Sequence, residues 1–152
     1  MARRHDYFSL EEANAVIPTL EYYFRHLVVI QHDLSGLQRT LQASGATLGK
    51  DGVELPADVD PEVHQLRDRY QQQCQDYDHV VEEILSLGVE IVDPEAGIVN
   101  FYTWCDGEEL LLNWQYGEPS IGYWLDPGEP FHDRRPLRQL FAHAEGLAPL
   151  RH

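Results

Sequence analysis

Residues 98–125, IVNFYTWCDGEELLLNWQYGEPSIGYWL, constrain this chain more than any other stretch. They hold all three tryptophans, Trp104, Trp114 and Trp124, and two turn signals divide them: Asp106-Gly107, then Gly117-Glu118-Pro119-Ser120. Asp-Gly between apolar runs marks a tight hairpin, because the central residues of the favoured turn take positive φ and glycine accepts it without steric cost. The pattern predicts three antiparallel strands over about 99–104, 109–116 and 121–125. Residues 89–92, Val89-Glu90-Ile91-Val92, are available as a fourth.

Before this sheet the spacing is helical. Ser9-Leu10-Glu11-Glu12 fits a capping box, with the hydroxyl covering a free N–H and Glu12 reaching back. Pro18 lies too deep for that helix to continue, so a short helix over 10–16 and a new or kinked one from Pro18 are expected. From there the apolar positions Leu20, Tyr23, Leu27, Ile30, Leu34, Leu37 and Leu41 alternate 3-4, a coiled-coil-like seam. Residues 44–49 have turn composition. Asp60-Pro61 opens a second helix, with a seam of Val63, Leu66, Tyr70, Gln73, Tyr77, Val80, Ile84 and Leu87 closed by Gly88.

Matching seams predict an antiparallel hairpin about 40 Å long at about 1.5 Å per residue. Ile17, Phe24, Val28 and Val81 widen the apolar stripe at one end, where the sheet should pack. At the other end glutamines 71, 72, 73 and 75 surround a bare seam. That end should project as a thin arm, and an arm with one covered seam is marginal alone. A second copy of the chain is its simplest cover. The expected fold is thus α+β: a long antiparallel helical hairpin packed on a small antiparallel sheet of three or four strands. It forms a single domain, with 8–43 and 61–87 helical, 89–125 sheet, and 126–152 a C-terminal tail. Leu137, Leu140 and Phe141 predict one short docking helix in that tail, with fraying beyond it.

Charge narrows the partners. The 152-residue chain carries a net charge of −15, its one lysine is Lys50, and no basic run exceeds two residues (Arg3-Arg4, Arg134-Arg135). Phosphate binding needs clustered Lys and Arg, so nucleic acid and anionic membrane surfaces are not expected partners. No run approaches the roughly 20 apolar residues of a membrane span. The basic N-terminus lacks the apolar core of a signal peptide, which predicts a cytoplasmic protein. Cys74 and Cys105 lack CxxC spacing and read as reduced thiols.

Several groups invite a chemical reading. His26 and Asp33 flank the first seam, Asp76 and Glu83 flank the second on the matching side, and His79 faces away. Glu21 and Glu82 occupy outer positions. A di-metal bundle site would need inward Glu-x-x-His pairs on two helices, so salt bridges and solvated charges fit better, and no metal or cofactor is expected. Cys105 neighbours Asp106, which opposes thiolate formation. The sharpest constellation follows the second turn: Trp114, Glu118, Tyr123, Trp124 and Arg134, an acid, an aromatic wall and an arginine suited to a small polar ligand. In the competing reading Glu118 caps its turn, the aromatics fill the core, and Arg134 or Arg135 pairs with Glu118 to pin the tail.

The same residues carry a resemblance. Ser9-Leu10-Glu11-Glu12-Ala13-Asn14-Ala15 with Ile17-Pro18, then Leu87-Gly88-Val89-Glu90-Ile91 with Asp93 and Gly97-Ile98-Val99, resemble an uncharacterised bacterial family, domain of unknown function family 2203. Trp114-x-x-Gly117-Glu118-Pro119-x-Ile121-Gly122-Tyr123-Trp124 and Arg134-x-Pro136-Leu137 extend the likeness, which covers about 8–137. It implies a cytoplasmic α+β protein and transfers no activity. In that family an aspartate commonly stands where this chain has Asn100, a cysteine at Asn113 and a histidine at Leu125. If those groups serve a site there, this member lacks it.

Two readings of function follow. One is a non-catalytic interaction module that forms a homodimer through its helical region. The other is a small-molecule-binding protein, or an enzyme, with its site around Glu118 and the Gly122-Tyr123-Trp124 strand.

Overall fold

Ser9 and Glu12 cap the first helix reciprocally: the Glu12 N–H donates to Ser9 Oγ (3.0 Å) and the Ser9 N–H donates to Glu12 Oε1 (2.9 Å). The structure is a computed structural model that describes the backbone of residues 6–144 and the side chains of 6–140. In it α1 runs unbroken over Leu10–Ala43, with Pro18 inside. The expected break at Pro18 is absent. Proline forfeits one i→i−4 hydrogen bond, but Pro18 lies on an exposed side while Ala13, Ile17, Leu20 and Phe24 are all buried. Burial worth roughly 1.5–3 kcal/mol for each large side chain outweighs that bond.

The chain divides into two compact units, one of residues up to Phe24 together with those from Glu83 onward, the other Arg25–Glu82. In the second unit α1 leads through β1 (Thr47–Gly49) and β2 (Gly52–Glu54) into α2 (Pro61–Leu85). The sequence suggests only a turn at 44–49. Instead β1 and β2 pair antiparallel, with Gly49 opposite Gly52 and Gly52 at φ +113°. The two-residue turn here is Lys50-Asp51, with Gly52 already on the strand, unlike Asp106-Gly107, where the Asp-Gly pair itself forms the turn.

Hydrogen bonds link the helices within each unit. Tyr23 OH donates to Glu83 Oε2 (3.4 Å), and Gln31 Nε2 donates to Tyr77 OH (3.1 Å). As numbers rise on α1 they fall on α2, so the helices run antiparallel. The α1 seam is buried at Leu27, Leu37 and Leu41. On α2, Val63, Leu66, Tyr70, Gln73, Tyr77 and Val80 are all only half-buried.

The first unit holds an antiparallel sheet, in the order β3 (Glu90–Asp93), β4 (Ile98–Cys105), β5 (Glu108–Gln115), β6 (Tyr123–Leu125) and β7 (Arg135–Pro136). Five strands therefore replace the expected three or four. Residues 90–93 supply the anticipated extra strand; β7 is the addition. Two residues carry no readable alternation, and a proline is tolerated there because β7 is an edge. Asp106 (φ +54°) and Gly107 (φ +79°) make the two-residue turn that sets Cys105 opposite Glu108.

The pleat sorts side chains onto two faces. On one, Val99 lies opposite Trp114 and Phe101 opposite Leu112. Trp114 is fully buried with its ring 6.1 Å from that of Phe24 on α1, and Phe8 meets Phe101 edge-on at 5.2 Å. On the other face Glu90, Asn100, Asn113 and Tyr123 stand in one row across four strands. A 3-10 turn (Phe131–Asp133) precedes β7, and α3 (Leu137–Ala144) follows with Leu137 and Leu140 buried. Phe141's docking, the fraying of the tail and Arg3-Arg4 lie outside the described residues.

Candidate functional site

The row of polar residues continues into the cluster that the sequence singles out. Glu118 sits in the turn after β5, where its Oε1 accepts from the Gln115 N–H (2.8 Å) and caps the strand end. Arg134, just before β7, grips the same carboxylate with both arms: Nη1 to Oε1 at 3.1 Å and Nη2 to Oε2 at 2.8 Å. This is the planar two-bond geometry that makes arginine–carboxylate pairs strong. The guanidinium lies between two rings, 3.9 Å from the Tyr123 centroid and 4.3 Å from that of Phe131. The Arg134 and Glu118 side chains retain 16% and 22% of their exposure.

From Arg134 the bonds run on into the sheet. Nη1 donates to Asn113 Oδ1 (3.2 Å), Asn113 Nδ2 donates to Asn100 Oδ1 (2.7 Å), and Asn100 Nδ2 donates to Glu90 Oε1 (3.1 Å). Tyr102 OH closes the chain on Glu90 Oε2 (2.9 Å). Burial, and then this bond to Glu90, push the Tyr102 phenol up to about 12. Asn113 is fully buried and Asn100 nearly so. A buried amide without partners costs about 1–3 kcal/mol, and here each amide both donates and accepts.

Of the five predicted site residues, Glu118, Tyr123 and Arg134 meet on one face. Trp114 and Trp124 point to the other. Trp114 fills the core and reaches the turn only through its Nε1, which donates to the Glu118 carbonyl (2.9 Å). Trp124 stacks under Arg135 (4.4 Å), whose Nη2 binds both Glu129 oxygens at 2.8 and 2.7 Å. Glu129 is held below the usual carboxylate range, first by the Asp126 backbone N–H and then by Arg135. The arrangement therefore pairs the acid and the base of the cluster with each other, leaving neither carboxylate oxygen of Glu118 without a protein donor.

Sequence reasoning did not single out Glu90 and Phe131, and it noted Asn100 and Asn113 only through the family likeness. It also left Asn14 unassigned, though its Oδ1 accepts from the Ile121 N–H (2.8 Å) and ties α1 to the turn carrying Glu118. A readable signal exists: Ile98-Val99-Asn100-Phe101 and Leu110-Leu111-Leu112-Asn113-Trp114 are apolar runs each interrupted by one Asn, marking strands buried on both faces. A lone Asn in such a run must find a partner. Leu125 lies on the same face, opposite Leu111 and beside Asn113, so the three positions noted from the family share one surface of the sheet.

The helix-flanking groups sit elsewhere. A groove of about 420 Å³ in the second unit is lined by His26, Val29 and Asp33 of α1 and by Asp76, His79 and Val80 of α2, among others. His79 thus shares a surface with His26 rather than facing away, because the groove opens beside the seam and takes in flanking positions. Among the described residues no three His, Cys, Asp or Glu converge as a metal site. Cys74 and Cys105 are free thiols; burial, then Asp106 and Glu108, push the Cys105 thiol up, away from the nucleophilic thiolate. No helix among the described residues is long and apolar enough to cross a membrane.

No curated protein and no solved structure matches the chain significantly. Residues 6–137, which carry the capping box, both helices, the whole sheet and the Glu118–Arg134 pair, match the family model described as an uncharacterized conserved protein (DUF2203), and the chain belongs to that family.

Proposed function

We propose that this protein is a non-catalytic interaction module of the cytoplasm that forms a homodimer through its α1–α2 helical hairpin. The observation that carries this reading is the half-burial of α2. Six successive seam positions from Val63 to Val80 keep part of their surface in water in the single chain, and on α1 Val28 and Val29 are 48% and 56% exposed. Helices with this much uncovered apolar surface gain from a second layer, as in four-helix packing. The free thiols suit a reducing compartment.

The engagement of Glu118 by Arg134 and Gln115 adds support, since a ligand-binding acid would have to leave three bonds to act. The alternative of a small polar ligand at Trp114, Glu118, Tyr123, Trp124 and Arg134 draws less support for that reason. Light scattering at micromolar concentration tests the proposal. A particle of twice the 17.5 kDa chain mass is expected; a monomer overturns it.

A further inference from the structure

The groove between α1 and α2 has two unlike ends. The Gln31–Tyr77 hydrogen bond sets the level of one helix against the other. Moving from it toward the start of α1 reaches His26, and a shorter move in the same direction along the antiparallel α2 reaches His79. Moving the other way reaches Asp33 on α1 and Asp76 on α2. All four line the groove, so it carries histidines at one end and aspartates at the other. Val29 stands between the ends, 56% exposed.

We propose that two copies of the chain dock groove to groove about a two-fold axis that passes Val29 at right angles to the helices. This rests on the dimer reading above and specifies its geometry. In a two-fold interface the same patch serves both partners, so the patch must complement itself. An axis across the helices turns the second copy end for end and lays each helix antiparallel on its own counterpart. His26 then meets Asp33 of the second copy, His79 meets Asp76 of the second copy, and each pairing occurs twice. Imidazole donates to carboxylate whether it is neutral or charged.

One axis serves both helices. Val29 and Ile30 lie midway between His26 and Asp33, Tyr77 and Asp78 lie midway between Asp76 and His79, and the Gln31–Tyr77 bond holds these midpoints at nearly one level. The other two-fold arrangement, with its axis along the helices, keeps the ends in place. It sets His26 against His79 and Asp33 against Asp76 of the second copy. There Asp33 faces Asp76 of the second copy, carboxylate against carboxylate in a chain already at −15, and such juxtaposition disfavours an interface. Charge complementarity therefore selects the crossed axis, with the exposed Val29 of each copy closing the centre.

Residues on a two-fold axis meet their own copies, which gives a direct test. Under mild oxidation Val29→Cys should form a disulfide-linked dimer, because the Cα atoms would come within the roughly 4.4–6.8 Å that the bond requires. Gln42→Cys, also exposed, lies about 20 Å further along α1 at about 1.5 Å per residue and should stay unlinked. The wild type reports the background from Cys74 and Cys105. In a second arm, His26→Asp should weaken the dimer by about tenfold or more, roughly 1.4 kcal/mol, and adding Asp33→His should restore it, since the swapped pair is again complementary across the axis. Circular dichroism checks that each variant is folded. A wild-type dimer in which Val29→Cys does not link, or in which the double swap does not restore association, overturns this geometry and leaves the dimer reading standing. A wild-type monomer overturns both.

Discussion

Asn113 stands directly opposite Asn100 on the neighbouring strand and donates to its Oδ1 at 2.7 Å, with the Asn113 side chain wholly out of solvent. The pair joins the exposed Glu90 edge of the sheet to the Arg134–Glu118 ion pair. Asn113→Leu keeps the size but leaves Asn100 Oδ1 without its donor and takes one acceptor from Arg134, which retains Glu118. A loss of about 1–3 kcal/mol is expected, read from urea unfolding midpoints.

Arg134→Ala should destabilise more, by about 2–4 kcal/mol, because it strands the Glu118 carboxylate in a largely closed site. Arg134→Lys should recover little. An ammonium cannot reproduce the two parallel bonds or the stacking between Tyr123 and Phe131. Thermal unfolding of both variants checks this; full recovery by lysine would contradict the role given to the planar fork.

Stability should fall at high pH. The folded Tyr102 phenol titrates at about 12 rather than the ordinary 10.0, so the folded state holds its proton more tightly than the unfolded chain does. That contribution is complete below about pH 10 and is lost as pH rises toward 12. Tyr23 and Tyr70 are also raised, chiefly by burial, and act with the same sign. Urea titrations at pH 9 and pH 11 should show the drop, and Tyr102→Phe should reduce it.

Two glycines separate backbone strain from crowding. Gly97 (φ +73°) and Gly117 (φ +105°) both take conformations that disfavour a side chain, but a Cβ at Gly97 would lie 2.5 Å from Tyr116 Cβ, while at Gly117 it meets open space. Gly117→Ala should cost about 1–2 kcal/mol from backbone conformation alone. Gly97→Ala should exceed it by at least about 1 kcal/mol. Equal losses on chemical denaturation would remove the crowding argument.

The hairpin of β4 and β5 is legible because Asp106-Gly107 leaves a local mark between long apolar runs. β7 is not, since Arg135-Pro136 is too short for any period to register. Pro18 misleads for a related reason: a local helix breaker is overridden by the burial of Ala13, Ile17, Leu20 and Phe24, which depends on a partner surface far along the chain. The ion pair of Glu118 with an arginine is foreseeable. Which arginine is settled by the pleat alone: Arg135 lies opposite Trp124, so Arg134 falls on the face of Tyr123 and Asn113. The readings of Trp114 and Trp124 as one wall with Tyr123 fail on the same alternation. Glu118 and the tryptophans are near in sequence, but successive strand residues look in opposite directions.

Arg134 also sets an order of events. Translation delivers Asn100, Asn113 and Glu118 before it delivers the cation that joins them. Until then β4 and β5 can pair through their backbones, yet the turn carboxylate and the central amide still lack their shared partner. The ion pair therefore joins the sheet only after Arg134 has been made. A chain interrupted between β6 and Arg134 would keep the aromatic core of the hairpin while holding an uncompensated acid beside it. Such a fragment would open readily to proteases, because it lacks the guanidinium together with β7 and the buried Leu137 and Leu140 of α3.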